Sequence, residues 1–110
     1  MYKLRKDKKD TMILLCIDEP RHKNCSVLEA YTDEADMSVI ITSLYTFEGY
    51  KGKGYSTTLL NWLFDEVKYK GYKTITLDDC TDLFRKTTNI YLVNGFEYIK
   101  EGYPEMIKYL

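Results

Sequence analysis

The stretch TSLYTFEGYKGKGYSTTLL, Thr42 to Leu60, decides the fold. Its first part belongs to Ser38–Phe47 (SVIITSLYTF), a run rich in β-branched and aromatic residues that predicts a strand. Glu48–Tyr55 holds Gly49, Gly52 and Gly54 and predicts a loop. From about Ser56 to Lys70, the apolar residues Leu59, Leu60, Leu63, Phe64 and Val67 recur at helical spacing and form one stripe. Ser56 or Thr57 is the candidate N-cap, and Gly71 ends the helix. Strand, glycine loop and helix N-terminus in that order build an anion site. The first amides of a helix lack internal partners, and the helix dipole favours negative charge there. Glycines let a ligand approach the backbone closely. Lys51 and Lys53 add positive charge. The loop is not the GxxxxGK(S/T) phosphate loop of nucleotide hydrolases. Nor is it a dinucleotide fingerprint, because Thr57 stands where a third glycine is needed. Taken as an isolated glycine cluster, it is equally readable as a turn that holds no ligand.

Outward from this stretch, Thr11–Asp18 (TMILLCID) predicts a strand closed by Glu19-Pro20, with His22 in the turn that follows. Ser26–Tyr31 predicts a second strand, with Val27 and Glu29 on one face and Leu28 and Ala30 on the other. Asp33-Glu34 reads as a turn into Ser38–Phe47, so an antiparallel meander is expected before the glycine loop. After the helix, Lys73–Leu77 predicts a strand parallel to Ser38–Phe47, reached by a right-handed crossover. Asp78-Asp79 falls where that strand ends. A short helix is expected over Thr87–Val93, closed by Asn94-Gly95, then strands over Phe96–Lys100 and Glu105–Tyr109. The expected fold class is α/β, a mixed sheet with helices, in one domain over residues 1–110.

Composition narrows the function. The 110 residues carry 16 Lys+Arg against 17 Asp+Glu, a balance that argues against a dedicated nucleic-acid binder. The basic cluster Lys3, Arg5, Lys6, Lys8 and Lys9 is interleaved with Asp7 and Asp10 and reads as a solvated terminus. Cys16, Cys25 and Cys80 are odd in number and form no CxxC pair, which points to a reduced compartment. The first ten residues are mostly charged, and no apolar run approaches the ~20 residues that span a bilayer. A soluble, cytoplasmic protein without a membrane partner is expected. His22 has no Cys or acid at ligand spacing, so no metal is expected.

Two matches together resemble the GNAT superfamily of N-acetyltransferases. Lys51-Gly52-Lys53-Gly54-Tyr55-Ser56 is similar to its (R/Q)-x-x-G-x-(G/A) loop, and Tyr91-Leu92-Val93-Asn94-Gly95-Phe96 is similar to its Tyr placed ahead of a Gly-Phe pair. The matches cover about Ser38 to Leu110 in the expected element order. The sequence departs from the pattern in several places. Lys51 replaces Arg or Gln, keeping the charge but losing the planar fork. Ser56 replaces Gly or Ala, and the Asn early in the last helix has no counterpart near Leu83–Phe84. Ser38 stands where some members place a glutamate base. The N-terminal part is short, so the two helices that usually cover the acceptor site are expected to be missing or reduced.

The resemblance implies transfer of an acetyl group from acetyl-CoA to a primary amine by direct attack. It implies a pyrophosphate site on the backbone of Lys51, Gly52, Lys53, Gly54, Tyr55 and Ser56, with Thr57 at the helix start. It implies an acyl-binding strand at Leu44, Tyr45 and Thr46, where a backbone N–H near Tyr45 or Thr46 would hold the thioester oxygen. Tyr91 is the implied general acid. Asp78, Asp79 and Glu105 are candidate bases, because an alkyl amine of pKa ~10.4 must lose a proton before it attacks. The short N-terminus leaves a sheet edge or face uncovered, from which a homodimer is expected. The alternative functions are a CoA-binding regulatory module without catalysis and a nucleotide-phosphate binder unrelated to CoA.

Overall fold

The computed structural model describes residues 2–79 and 89–110. Seven strands form one mixed sheet in the order β1-β2-β3-β4-β5-β7-β6. They are β1 (Lys3–Lys9), β2 (Met12–Glu19), β3 (His22–Asp33), β4 (Ser38–Thr46), β5 (Thr74–Asp78), β6 (Glu97–Tyr98) and β7 (Glu105–Tyr109). The helices are α1 (Tyr55–Tyr69) and the single turn α2 (Ile90–Val93). The expected meander is present and is longer than its hydrophobic pattern showed. The basic N-terminus, with its side chains mostly exposed, is strand β1, paired along its length with β2. His22 opens β3 rather than sitting in the turn. Of the short helix expected over Thr87–Val93, the part before Asn89 lies outside the described residues, as do Cys80 and Leu83–Phe84.

Apolar alternation in the strands builds the core under α1. Ile13, Leu15, Ile17, Leu28, Ala30, Val39, Ile41, Ile75, Leu77 and Met106 point to one face, and Leu59, Leu60, Leu63 and Val67 of α1 close over them. Each of these leucines is fully buried, worth about 1.5–3 kcal/mol relative to exposure. α1 ends on Gly71 in a left-handed conformation. Gly71 N–H donates to the Lys68 carbonyl and Tyr72 N–H to the Val67 carbonyl, the paired bonds that stop a helix.

On the opposite face, several large side chains of the described residues stay exposed. Tyr31, Ile40, Tyr45 and Tyr109 on it are 38, 45, 53 and 68% exposed. The molecule measures 39 × 36 × 17 Å. A helix with its side chains is about 10–12 Å across, so this thickness holds the sheet and one helical layer. β1 and β2 are joined only by Asp10 and Thr11, with Asp10 at φ 54°, so no helix intervenes there. Among the described residues, no helix is long and apolar enough to cross a membrane.

One irregularity positions everything that follows. β4 and β5 pair in parallel only from Ser38↔Thr74 to Ile41↔Leu77. On its other side β4 pairs with β3 through Ala30↔Ile41 and Glu29↔Ser43, which leaves Thr42 as an extra residue. Such a bulge bends its strand. Beyond it β4 runs on with β3 to Thr46, while β5 stops at Asp78, and the two central strands part.

Candidate active site

The chain leaves β4 at Thr46, makes a 3-10 turn over Glu48–Tyr50, and passes through Lys51–Gly54 into α1. Gly52 (φ 84°) and Gly54 (φ 80°) are left-handed, a conformation that costs other residues about 1–2 kcal/mol. Gly54, and not Ser56 or Thr57 as expected, is the N-cap, and it offers no side-chain bond to the helix. The first intrahelical bond runs from Thr58 N–H to the Gly54 carbonyl, 3.0 Å. The amides of Tyr55, Ser56 and Thr57 therefore lie ahead of the ladder, at the positive end of the helix dipole. They border a cleft of about 400 Å³. Leu44, Tyr45 and Thr46 form one wall, Lys51, Gly52 and Gly54–Thr57 the floor, and Ile90 and Tyr91 the far wall.

The cleft is braced by side chains. Thr46 Oγ1 lies 2.7 Å from Ser26 Oγ and 3.0 Å from Ser56 Oγ, so three hydroxyls tie β3, β4 and the start of α1 together. The Tyr55 hydroxyl donates to Glu19 Oε1 at 2.8 Å. That bond, with burial and the Glu19 charge, pushes the Tyr55 hydroxyl up to about 12. It also holds Glu19 below the usual carboxylate range, with help from nearby Lys53. Lys53 leans out of the cleft, 3.5 Å from Glu19 and over the rings of Tyr50 and Tyr55. Lys51 sits 3.0 Å from Glu48 and stays at the cleft's edge. Phe47 N–H donates to the Cys25 carbonyl, toward β3. Alternation along β4 then turns the backbone groups of Leu44 and Thr46 to the opposite edge, which faces the cleft, and those of Tyr45 toward β3. Ser26 Oγ donates to the Tyr45 carbonyl accordingly.

Where β4 and β5 part, two further hollows continue the cleft. A middle hollow of about 300 Å³ shares Leu44 and Tyr91 with it and reaches Thr42, Ser43 and Asp78. An outer hollow of about 490 Å³ shares Thr42 and Asp78 with the middle one and reaches Ile40, Thr76 and Glu105. Asp78 and Glu105 stand directly opposite each other on β5 and β7. Asp79 differs from them. Its Oδ2 accepts from Asn89 Nδ2 at 2.8 Å and from the Tyr98 hydroxyl at 2.6 Å, and its backbone N–H donates to the Pro104 carbonyl. Asn89 in turn caps α2, its Oδ1 accepting from the Tyr91 and Leu92 amides. Tyr91 packs edge-on against Phe96, which meets Phe64 of α1.

Solved structures of acetyltransferases superpose on this chain. A GNAT-family acetyltransferase from Staphylococcus aureus superposes with a TM-score of 0.77 over 91% of this chain at 15% identity. The chain has the GNAT fold. A Klebsiella pneumoniae protein assigned as an acyl-CoA N-acyltransferase gives a TM-score of 0.79 at 15% identity, with 100% of this chain on 98% of that one. The PaiA N-acetyltransferase of Thermoplasma acidophilum, solved in complex with coenzyme A, gives 0.72 at 19% identity over 91% of this chain. The chain spans 68% of the Staphylococcus protein and 62% of the Thermoplasma one. No family model and no curated protein matches the sequence.

Within this GNAT fold, the structure brings the expected residues to the cleft and its two adjoining hollows, with two exceptions. Lys53 points away from them and Asp79 is held by Asn89 and Tyr98, while Tyr45 lines the cleft with its backbone turned to β3. Sequence reasoning missed Glu19, which lies 36 positions from its partner Tyr55. It also missed the Ser26–Thr46–Ser56 hydroxyl chain. Asn89 was legible in principle, since an Asn immediately ahead of a short apolar turn is an N-cap signal.

Proposed function

We propose that the chain is an N-acetyltransferase that moves the acetyl group of acetyl-CoA to a primary amine by direct attack. The observation that carries this is the convergence, on one cleft, of the glycine-held amides of α1, the bent free edge of β4 and the Tyr91 side chain. The residues fit the cosubstrate. Amides of Gly52, Gly54, Tyr55, Ser56 and Thr57 suit a pyrophosphate, and Lys51, released from Glu48, and Lys53, released from Glu19, would add charge. The parting of β4 and β5 frees backbone groups for an amide-bearing pantetheine arm. The bound cosubstrate supplies an activated acyl thioester.

The chain's own groups supply the rest. The Thr46 N–H, or that of Leu44, faces the cleft and would hold the oxygen on which negative charge develops. Asp78 lies in both hollows that lead to it and would take the amine proton, directly or through water, with Glu105 beside it. Amide C–N bond formation breaks the thioester C–S bond, and Tyr91 would protonate the departing thiolate. Asp79 would act through Asn89 rather than on substrate. A CoA-binding module without turnover is the second reading, and the observation favouring it is Ser38 on the central strand where some members have glutamate.

Titration calorimetry with acetyl-CoA, using ATP as the control, tests the site. A thiol-release assay over a panel of amines then tests transfer. Selective acetyl-CoA binding with amine-dependent thiol release is expected. Binding without release on any amine would select the regulatory module. Failure to bind acetyl-CoA by folded protein would end both.

A further inference from the structure

The open face of the sheet carries a pattern that the cosubstrate cleft does not use. Directly opposed residues in a sheet point to the same face. Following the register across the strands gives one unbroken row: Met12, Tyr31, Ile40, Thr76, Ile107 and Glu97. At about 4.8 Å per strand, this row is roughly 24 Å wide, more than a small amine can cover. The outer hollow opens on it, since Ile40 and Thr76 belong to both. Among the described residues, the charged side chains that the strand register places on this face from Glu29 onward are Glu29, Asp33, Asp78, Glu97 and Glu105, all of them acidic, with Lys23 lying back at the start of β3 near Asp18. An apolar row with carboxylates along it fits an extended partner that carries amines at intervals.

We propose that this face docks a lysine-rich polypeptide and that, on the acyl-transfer reading above, one of its lysines enters the outer hollow to reach Asp78 and the cleft. The lysine stems would lie on Tyr31, Ile40 and Ile107, with ammonium groups at the carboxylates. A second copy of the chain fits this surface poorly. From the same face of its β1 and β2, it would bring Lys3, Arg5 and Lys9 set against Asp7 and Asp18, three minus two, or one net positive charge facing five carboxylates. Arg5 is moreover already held by Asp18, Asp7 and Asn24. Like-charge juxtaposition across an interface discriminates strongly against such a partner.

The test is fluorescence anisotropy of a labelled lysine–serine peptide of about ten residues, long enough to cross the row, with a glutamate–serine peptide as control. Binding to the lysine peptide alone is expected, weakening with salt. Tyr31→Lys and Glu97→Lys, both at exposed positions, are each expected to weaken it about tenfold or more. Thermal midpoint and acetyl-CoA affinity are measured on the same variants to establish that they are folded. In the thiol-release assay, the lysine peptide is expected to give a higher kcat/KM than spermidine. Equal binding of the two peptides, or binding indifferent to both variants, would overturn the proposal. So would a preference for spermidine, or a dimer in sedimentation that Tyr31→Lys dissociates, because the occupant would then be a small polyamine or a second copy. Peptide binding is read without turnover, so loss of acetyl-CoA binding would sink the enzyme reading and leave the docking result standing.

Discussion

Tyr91 carries the proposal's sharpest test. It lines both the cleft and the middle hollow, and its ring packs against Phe96. Tyr91→Phe keeps the ring and removes the proton. It is expected to lower kcat about 100-fold and to leave the acetyl-CoA dissociation constant within a factor of two or so. Single-turnover kinetics beside calorimetry checks the split, and unchanged kcat would remove Tyr91 from the mechanism. The Tyr55–Glu19 pair predicts a stability profile in pH. Tyr55 ordinarily titrates near 10 and here near 12, so its contribution is complete below pH 10 and is lost between about pH 10 and 12. Glu19 is held low, so its share is present above the ordinary glutamate value and disappears as pH falls below it. Urea midpoints across alkaline pH should fall less steeply in Tyr55→Phe than in the parent, and identical slopes would deny the pair this role. Neither partner announces the other in the sequence. A contact between a strand end and a helix start appears only once β2, β3 and α1 are stacked.

At the scale of elements, the glycine loop and α2 each make a separable claim. Gly54 is left-handed, and a Cβ added there meets nothing within 4 Å. Gly54→Val should therefore cost only backbone strain, about 1–2 kcal/mol, while its branched side chain obstructs the approach to the amides. Loss of acetyl-CoA binding in a protein that still unfolds cooperatively is the expected result, and full affinity would move the anion site elsewhere. Asn89→Ala removes the cap of a four-residue helix, worth about 1 kcal/mol. Because α2 carries Tyr91, the damage should appear as a kcat loss of about tenfold or more, with acetyl-CoA affinity retained. A melting shift with kcat intact would make Asn89 purely structural. Most elements were legible because their signals are local. The stripe of Leu59, Leu60, Leu63 and Val67 and the alternation of Val27 to Ala30 each report one face. β1 was not legible, because KLRKDKK has no apolar alternation and becomes a strand only through the ladder that β2 offers. The Thr42 bulge left no signal either, since nothing in SVIITSLYT says which residue its neighbour will skip.

At the scale of the molecule, α1 is the long helix that covers the sheet among the described residues. Leu63→Ala, at its fully buried centre, should cost about 2–5 kcal/mol. For so thin a domain, that is a large part of the total. Chemical denaturation measures it, and a loss under about 1 kcal/mol would mean that the layer repacks easily. The family-level reading came from two short motifs in the right order. What lay beyond the sequence was the adjacency of three hollows that share lining residues, which depends on where two strands part. The chemistry of β1 has a further consequence. It is an outer strand, and an outer strand's unpaired amides and carbonyls can recruit another chain. Lys3, Lys8 and Lys9 put charge along this edge, which discourages such pairing. An acetyl donor in excess threatens that defence, because each acylated lysine loses its charge. Stocks exposed to reactive acyl compounds should therefore begin to scatter light and form strand-linked aggregates while α1 is still intact.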